Sequence, residues 1–293
     1  MKKAVVIGGS GFLGSHIADE LTKRGFKVTI VDKKESSWKT ENQNMAVGDF
    51  SDDIFLDDIF KGVSYVYHFG GMADISESRQ KPIEAADVNV LGTMKILKAI
   101  ASQDIERFVY ASTMYIYSPY GSFYRATKQA AEILIETCHE EYGLDYTILR
   151  FGSLYGPRSQ NWNGLRSYIS EILSTGKLYY RGTGREKREY IYVKDAARLS
   201  VDILDEIHKN QAITLTGQQT FSSKDLMDMI FEITGVKGEV VFSGEKNLEE
   251  HYGITPYRYT PKRSKKLIPD EFVDLGEGIL EIVEQMYENE NFR

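Results

Sequence analysis

Apolar residues along the first half of the chain come in short runs separated by stretches of helical period. Ala4–Ile7, Lys27–Val31, Met45–Val47, Val63–Tyr67, Arg107–Tyr110 and Tyr146–Leu149 read as strands. Each is too short for a buried helix and is bounded by glycine, aspartate or polar residues. Between them, residues 12–24, 52–60, 82–101 and 121–141 repeat apolar positions three and four apart, as helices do. Strand–helix alternation of this kind predicts a parallel sheet covered on both faces. Beyond Gly156 the rhythm changes. We expect helices near 165–173 and over 193–207, a glycine-marked loop over 176–184 and a strand at 212–215. A further helix over 224–234 is capped by Ser222 with Asp225 in the reciprocal position, and an amphipathic helix runs over 275–287.

The chain thus reads as α/β, a Rossmann-type doubly wound parallel sheet with a smaller mixed C-terminal domain. Residues 1–154 make the first domain, with 188–216 returning to it, and 155–293 the second. At 293 residues there is enough chain for a full core. The formal charge of −7 and a pI near 5.4 disfavour a nucleic-acid binder. The first apolar run breaks at Gly8, too soon for a leader or a membrane span. A lone cysteine, Cys138, excludes an intrachain disulfide, and no Cys/His spacing suggests a metal. A cytoplasmic protein is expected.

Chemistry enters with Gly8, Gly11 and Gly14, a Gly-x-x-Gly-x-x-Gly turn between the first strand and its helix. Glycines there let backbone approach a pyrophosphate, which the helix N-terminus attracts. Phe12 and Leu13 belong to the same turn. Asp32 ends the second strand, 18 residues after Gly14, where a carboxylate accepts bonds from an adenosine ribose. It would repel a ribose phosphate, so NAD is favoured over NADP, with Lys33 and Lys34 the only opposing sign. Farther on, Tyr124 and Lys128 stand four apart in a helical segment and share a face. A phenol near pKa 10 is only about one part in a thousand ionised at neutrality, and a neighbouring cation shifts it downward. With 19 tyrosines and 36 Lys and Arg residues, such a pair also arises by chance. Its meaning depends on other motifs.

Those motifs are GGSGFLGSH at 8–16, GDF at 48–50, HFGG at 68–71, ESRQKPIEAADVNVLGT at 77–93, STMYIY at 112–117, YRATK at 124–128, LRFGSLYGPR at 149–158 and REYIYVKDAA at 188–197. Together, and in this order, they resemble the extended short-chain dehydrogenase/reductases, in particular nucleotide-sugar epimerases and dehydratases such as UDP-glucose/galactose 4-epimerases. The resemblance implies that Asp49 and Phe50 flank the adenine. Phe69, Gly70 and Gly71 would line the ribose and phosphates, and Asn89 would fix the active-site helix at the cofactor. It makes Tyr124 the base for a sugar hydroxyl. Lys128 would hold the nicotinamide ribose and lower the tyrosine pKa, and Thr113 would hold the same hydroxyl, with Ser112 the alternative beside the cofactor. Arg188 matches the arginine that grips a sugar-nucleotide diphosphate, and Ser153 stands at a substrate contact. The stretch TPYRYTPKRSKK at 255–266, basic and aromatic in an acidic protein, could stack on or neutralise a nucleotide.

Four departures shape the expected reaction. Dehydratases of this kind carry Asp-Glu after the threonine, and decarboxylating members a glutamate, whereas here Met114 and Tyr115 follow. Elimination and decarboxylation are disfavoured, leaving oxidation at the sugar, as a 4-epimerase through a transient 4-keto sugar or as a net dehydrogenase. A non-catalytic NAD sensor is the reading from another class. Only 11 positions separate Thr113 from Tyr124, where relatives carry a longer proline-rich loop, so a more open site is expected. Ser153 replaces an asparagine in the Arg-x-x-Asn pattern begun by Arg150, and Gly70-Gly71 replaces an alanine pair, which should loosen the cofactor edge. Apolar faces on 82–101 and 121–141 suit pairing across a twofold, so a homodimer is expected.

Overall fold

The computed structural model describes residues 1–244 and 251–258. Strands β1 (Lys3–Ile7), β2 (Lys27–Asp32), β3 (Gln43–Val47), β4 (Tyr65–His68), β5 (Arg107–Thr113) and β6 (Tyr146–Phe151) alternate with helices. These are α1 (Phe12–Lys23), α2 (Asp53–Ile59), α3 (Ile75–Gln80), α4 (Pro82–Ala86), α5 (Gly92–Ala101) and α6 (Ser122–Tyr142). The six strands and one later strand form a sheet in the order 3-2-1-4-5-6 plus the late strand, and every pairing is parallel. Successive side chains of β1 explain why so short a run is wholly apolar. Ala4 and Val6 enter one core with Ile17, Leu21, Ala196 and Val201, whereas Val5 and Ile7 enter the other with Phe60, Ile96, Ile100 and Ile135. Strand order reverses at β1, which lies between β2 and β4, and the carboxyl ends there open a crevice for ligands.

The remaining elements are β7 (Ser153–Tyr155), α7 (Gly164–Thr175), β8 (Lys177–Tyr180), β9 (Lys187–Tyr192), α8 (Val193–Asp202), β10 (Gln211–Leu215), β11 (Thr220–Ser222), α9 (Ser223–Thr234) and β12 (Glu239–Phe242). The late strand of the large sheet is β10, paired with β6. The other five form two small sheets, β11-β9-β7 and β12-β8, over a third core of Ile172, Leu178, Met227 and Ile230. Several expectations change. The 176–184 loop contains β8, whose partner β12 lies about 60 positions on. The helix expected over 193–207 ends at Asp202. The stretch 82–101 is helical throughout, but Asp87–Leu91 widens to a π-helical turn. Ser222 caps α9 as expected, accepting from the Asp225 amide at 3.1 Å and donating to its carboxylate at 2.6 Å. Cys138 is buried on α6. The helix expected over 275–287 lies outside the described residues. Among the described residues, no helix is long and apolar enough to cross a membrane.

Candidate active site

The glycine turn follows β1 at the reversal point. Gly8 holds φ of +78°, and a Cβ there would sit 2.5 Å from the Gly70 amide nitrogen. A Cβ on Gly14 would lie 2.3 Å from the Gly8 carbonyl. Only glycine fits at either position, and the backbone stays bare. Gly11 precedes α1 without a side-chain cap and no acid stands in the first turn, so the helix end offers uncapped amides to an anion. Phe12 and Leu13 bury their side chains in the core and contribute only backbone to that end. At the end of β2, the Asp32 carboxylate accepts from the Ser10 amide at 3.0 Å and the Lys33 amide at 2.8 Å, which fixes it beside the turn. Lys33 turns its ammonium to Asp49 at 3.0 Å, and Asp49 also accepts from the Ser51 amide. The Lys33 charge is therefore balanced by a carboxylate. Cradle, helix end and strand-end acid fit a dinucleotide.

On the β4 side, Phe69 packs against Tyr67 and Phe151, and Phe50 is buried beside His68. The Gly70-Gly71 pair does not loosen this edge. A Cβ on Gly70 would come within 3.0 Å of the Phe50 ring, and one on Gly71, at φ +149°, within 2.7 Å of Asn89 Oδ1. The pair is glycine because the packing leaves no room. Asn89 sits in the π-helical turn, a device common at functional sites. Its amide donates to the Met72 carbonyl and Thr127 Oγ1, both at 3.0 Å, and its oxygen accepts from the Met72 amide at 2.8 Å. Asn89 therefore ties α6 to the β4 loop, with its side chain already occupied by protein.

Helix α6 begins after Gly121, held at φ +97°, which compresses the link from β5 into one 3₁₀ turn, Met114–Tyr117. This brings Tyr124, in the first helical turn, beside the Thr113 hydroxyl. Burial pushes the Tyr124 phenol up to about 12, and the bond to Thr113 opposes the rise. One turn on, Lys128 is 5% exposed, donates to the Ala111 carbonyl at 2.8 Å and lies 4.6 Å from the centre of the Tyr110 ring. Burial lowers the Lys128 ammonium to about 8, with the Glu132 carboxylate opposing. The expected depression of Tyr124 by Lys128 is not found in the protein alone, because the ammonium is turned to Ala111 and Tyr110 and desolvation dominates both groups. A further turn on, Glu132 pairs with Arg150 of β6 at 2.7 and 3.2 Å and takes the Ser112 hydroxyl. Ser112 therefore turns its hydroxyl to this buried ion pair.

On the other flank, Arg188 of β9 stands among the tyrosines 115, 168, 190 and 252. No carboxylate pairs with it among the described residues, its Nε is buried without a partner, and it lies 5.7 Å from the Tyr252 ring. Ser153 lies beside the Tyr252 phenol and opposes the rise that burial gives it. Residues 252–258 run beside 117–120 and line with them a groove of about 350 Å³. The Tyr252 ring also caps Tyr115 at 4.6 Å, and the Tyr115 hydroxyl meets His251 Nδ1 at 2.5 Å. Tyr115, His251 and Tyr252 form a wall that carries no local sequence signature, because their contacts join positions 136 apart.

The profile of the NAD dependent epimerase/dehydratase family matches residues 4–215. A putative UDP-glucose 4-epimerase of Methanocaldococcus jannaschii is 29% identical, over 97% of this chain and 98% of that protein. A UDP-N-acetyl-alpha-D-glucosaminuronate decarboxylase of Bacillus cytotoxicus is also 29% identical, over 82% of this chain and 83% of its own. Among solved structures, the UDP-N-acetylglucosamine 4-epimerase of Methanobrevibacter ruminantium, in complex with UDP-N-acetylmuramic acid, superposes with a TM-score of 0.79 and 26% identity, covering 88% of this chain and 90% of that one. With 212 of its 293 residues matched to the family profile, a bare glycine cradle before α1 and a Thr113–Tyr124 pair beside Lys128, this chain belongs to the NAD dependent epimerase/dehydratase family.

Proposed function

We propose that the protein is an NAD-dependent 4-epimerase of a nucleotide-diphosphate sugar. The observation that carries this reading is the pairing of Tyr124 with the Thr113 hydroxyl at the end of β5, with the buried Lys128 one turn away and, across the site, Arg188, which pairs with no carboxylate among the described residues. The Gly8–Gly14 cradle and Asp32 would hold NAD, which would supply a reversible hydride acceptor for the sugar. Thr113 orients the C4 hydroxyl, and Tyr124 takes its proton as the bond to Thr113 stabilises the developing phenolate. Lys128 would hold a cofactor ribose hydroxyl, and its positive charge favours the same phenolate. Arg188 offers a fork of donors to the diphosphate, its tyrosine surroundings keeping water out. Proton return to the keto oxygen by Tyr124 closes the cycle on either face.

Elimination of water and decarboxylation lack a second acid–base group beside Thr113, since Met114 is buried and apolar and the Tyr115 phenol, pushed well up by burial, engages His251. We assign residues 1–154 with 188–216 to the cofactor and 155–293 to the sugar nucleotide. A cytoplasmic homodimer is the corresponding assembly, supported by exposed Ile83, Leu91, Phe123 and Ile133 on 82–91 and α6. Sedimentation as a monomer would remove that part. The catalytic reading is tested by incubating the protein with UDP-sugars and analysing the product by proton NMR. An inverted C4 centre without accumulating NADH is the expected result. Net NADH would make it a dehydrogenase, and bound NAD without turnover would make it a sensor.

A further inference from the structure

Three rings, Tyr252, His251 and Tyr115, span the distance from Arg188 to Tyr124. Tyr252 lies 5.7 Å from the Arg188 guanidinium and 4.6 Å from Tyr115, and Tyr115 meets the Tyr124 ring edge-on at 6.3 Å. A nucleotide sugar with its diphosphate at Arg188 and a hydroxyl at Tyr124 must pass this wall. We propose that His251 is a substrate-positioning residue whose Nε2–H, fixed in direction by Tyr115, binds an oxygen of the sugar ring. The proposal rests on the nucleotide-sugar reading above.

The proton assignment follows from the pair itself. Burial keeps the Tyr115 phenol protonated, so its hydroxyl donates and His251 Nδ1, 2.5 Å away, accepts. Burial, together with the charges of Arg188 and Arg79, lowers His251 to about 4, so the ring is neutral and carries its one proton on Nε2. Nε2 has no hydrogen-bond partner among the described residues. His251 lines a cavity of about 270 Å³ with Arg188, Tyr168, Tyr180 and Glu186. An oriented donor in a cleft that already holds an arginine for phosphate selects the next acceptor along the ligand, a sugar hydroxyl or keto oxygen.

The experiment compares UDP with UDP-glucose on the NAD-loaded protein by calorimetry, for wild type, His251→Ala, His251→Gln and Tyr115→Phe. Alanine should weaken UDP-glucose about tenfold and leave UDP unchanged, raising KM more than it lowers kcat. Glutamine, whose amide N–H stands where Nε2–H does, should recover most of the loss. Tyr115→Phe, which frees the ring, should fall between. Retained NAD binding and thermal midpoint certify each fold, and a variant that fails them is judged through Tyr115→Phe instead. Equal weakening of UDP and UDP-glucose, no weakening of either, or a glutamine variant as weak as alanine would overturn the role while leaving the nucleotide-sugar reading in place. A wild-type protein that takes neither probe would refute that reading and this role with it.

Discussion

Replacing Lys128 with methionine should make the cofactor-free protein more stable at neutral pH. The ammonium is moved from 10.5 to about 8 by burial, so at about 1.4 kcal/mol per pH unit the folded chain carries roughly 3 kcal/mol of desolvation cost for a function it serves only with ligands bound. Methionine removes that cost with nearly the same volume. Against it stand the lost bond to the Ala111 carbonyl and the lost contact with the Tyr110 ring, each about 1 kcal/mol. A gain of about 1 kcal/mol at pH 7 is expected. The sign with pH is fixed by the direction of the shift. Between about 8 and 10.5 the unfolded lysine holds a proton that the folded one has released, so wild-type stability rises through that window relative to the variant. The cost is in full force below pH 8. Urea unfolding followed by the fluorescence of Trp38 and Trp162, from pH 7 to pH 11, measures the difference, and tyrosine ionisation cancels between the two proteins. Parallel stability curves would refute the buried-ammonium account.

Glu132→Gln removes the carboxylate that pairs with Arg150 in the interior, the two side chains being 5% and 13% exposed, and should lower stability by about 3 kcal/mol in the same assay. A loss under about 1 kcal/mol would mean the pair is solvated. Gly71→Ala, the substitution that looks mildest, should cost about 1–3 kcal/mol and displace Asn89, releasing its hold on Met72 and Thr127. We expect NAD affinity to fall at least tenfold by fluorescence titration, and an unchanged affinity would contradict the close fit.

The large sheet was legible because its strands are buried on both faces, which forces wholly apolar runs, and because Gly8, Gly14 and Asp32 act locally, within one strand–turn–helix. What the sequence concealed depends on distant partners. Strand β8 hides in a glycine-flanked stretch because only pairing with β12 makes it a strand. The spacing of Tyr124 and Lys128 put both on one face of α6, but the direction of the ammonium is set by Ala111 and Tyr110 on β5. Ser112 looked equivalent to its neighbour Thr113. Alternation along β5 turns one hydroxyl to Glu132 and the other to Tyr124. Residues 252–258, which stand beside the short link at 117–120, come from more than a hundred positions away, so their place there leaves no local trace.

The central claim is that Tyr124 moves the C4 proton while hydride passes between sugar and NAD. It is tested most directly by mixing the NAD-loaded protein with excess UDP-sugar in a stopped flow and following the reduced-nicotinamide absorbance. Wild type should show a transient rise that stays below one equivalent as inverted product forms. Tyr124→Phe, with NAD still bound, should slow that rise by about 10²–10⁴-fold. A Tyr124→Phe protein that reduces its NAD at the wild-type rate would contradict the account.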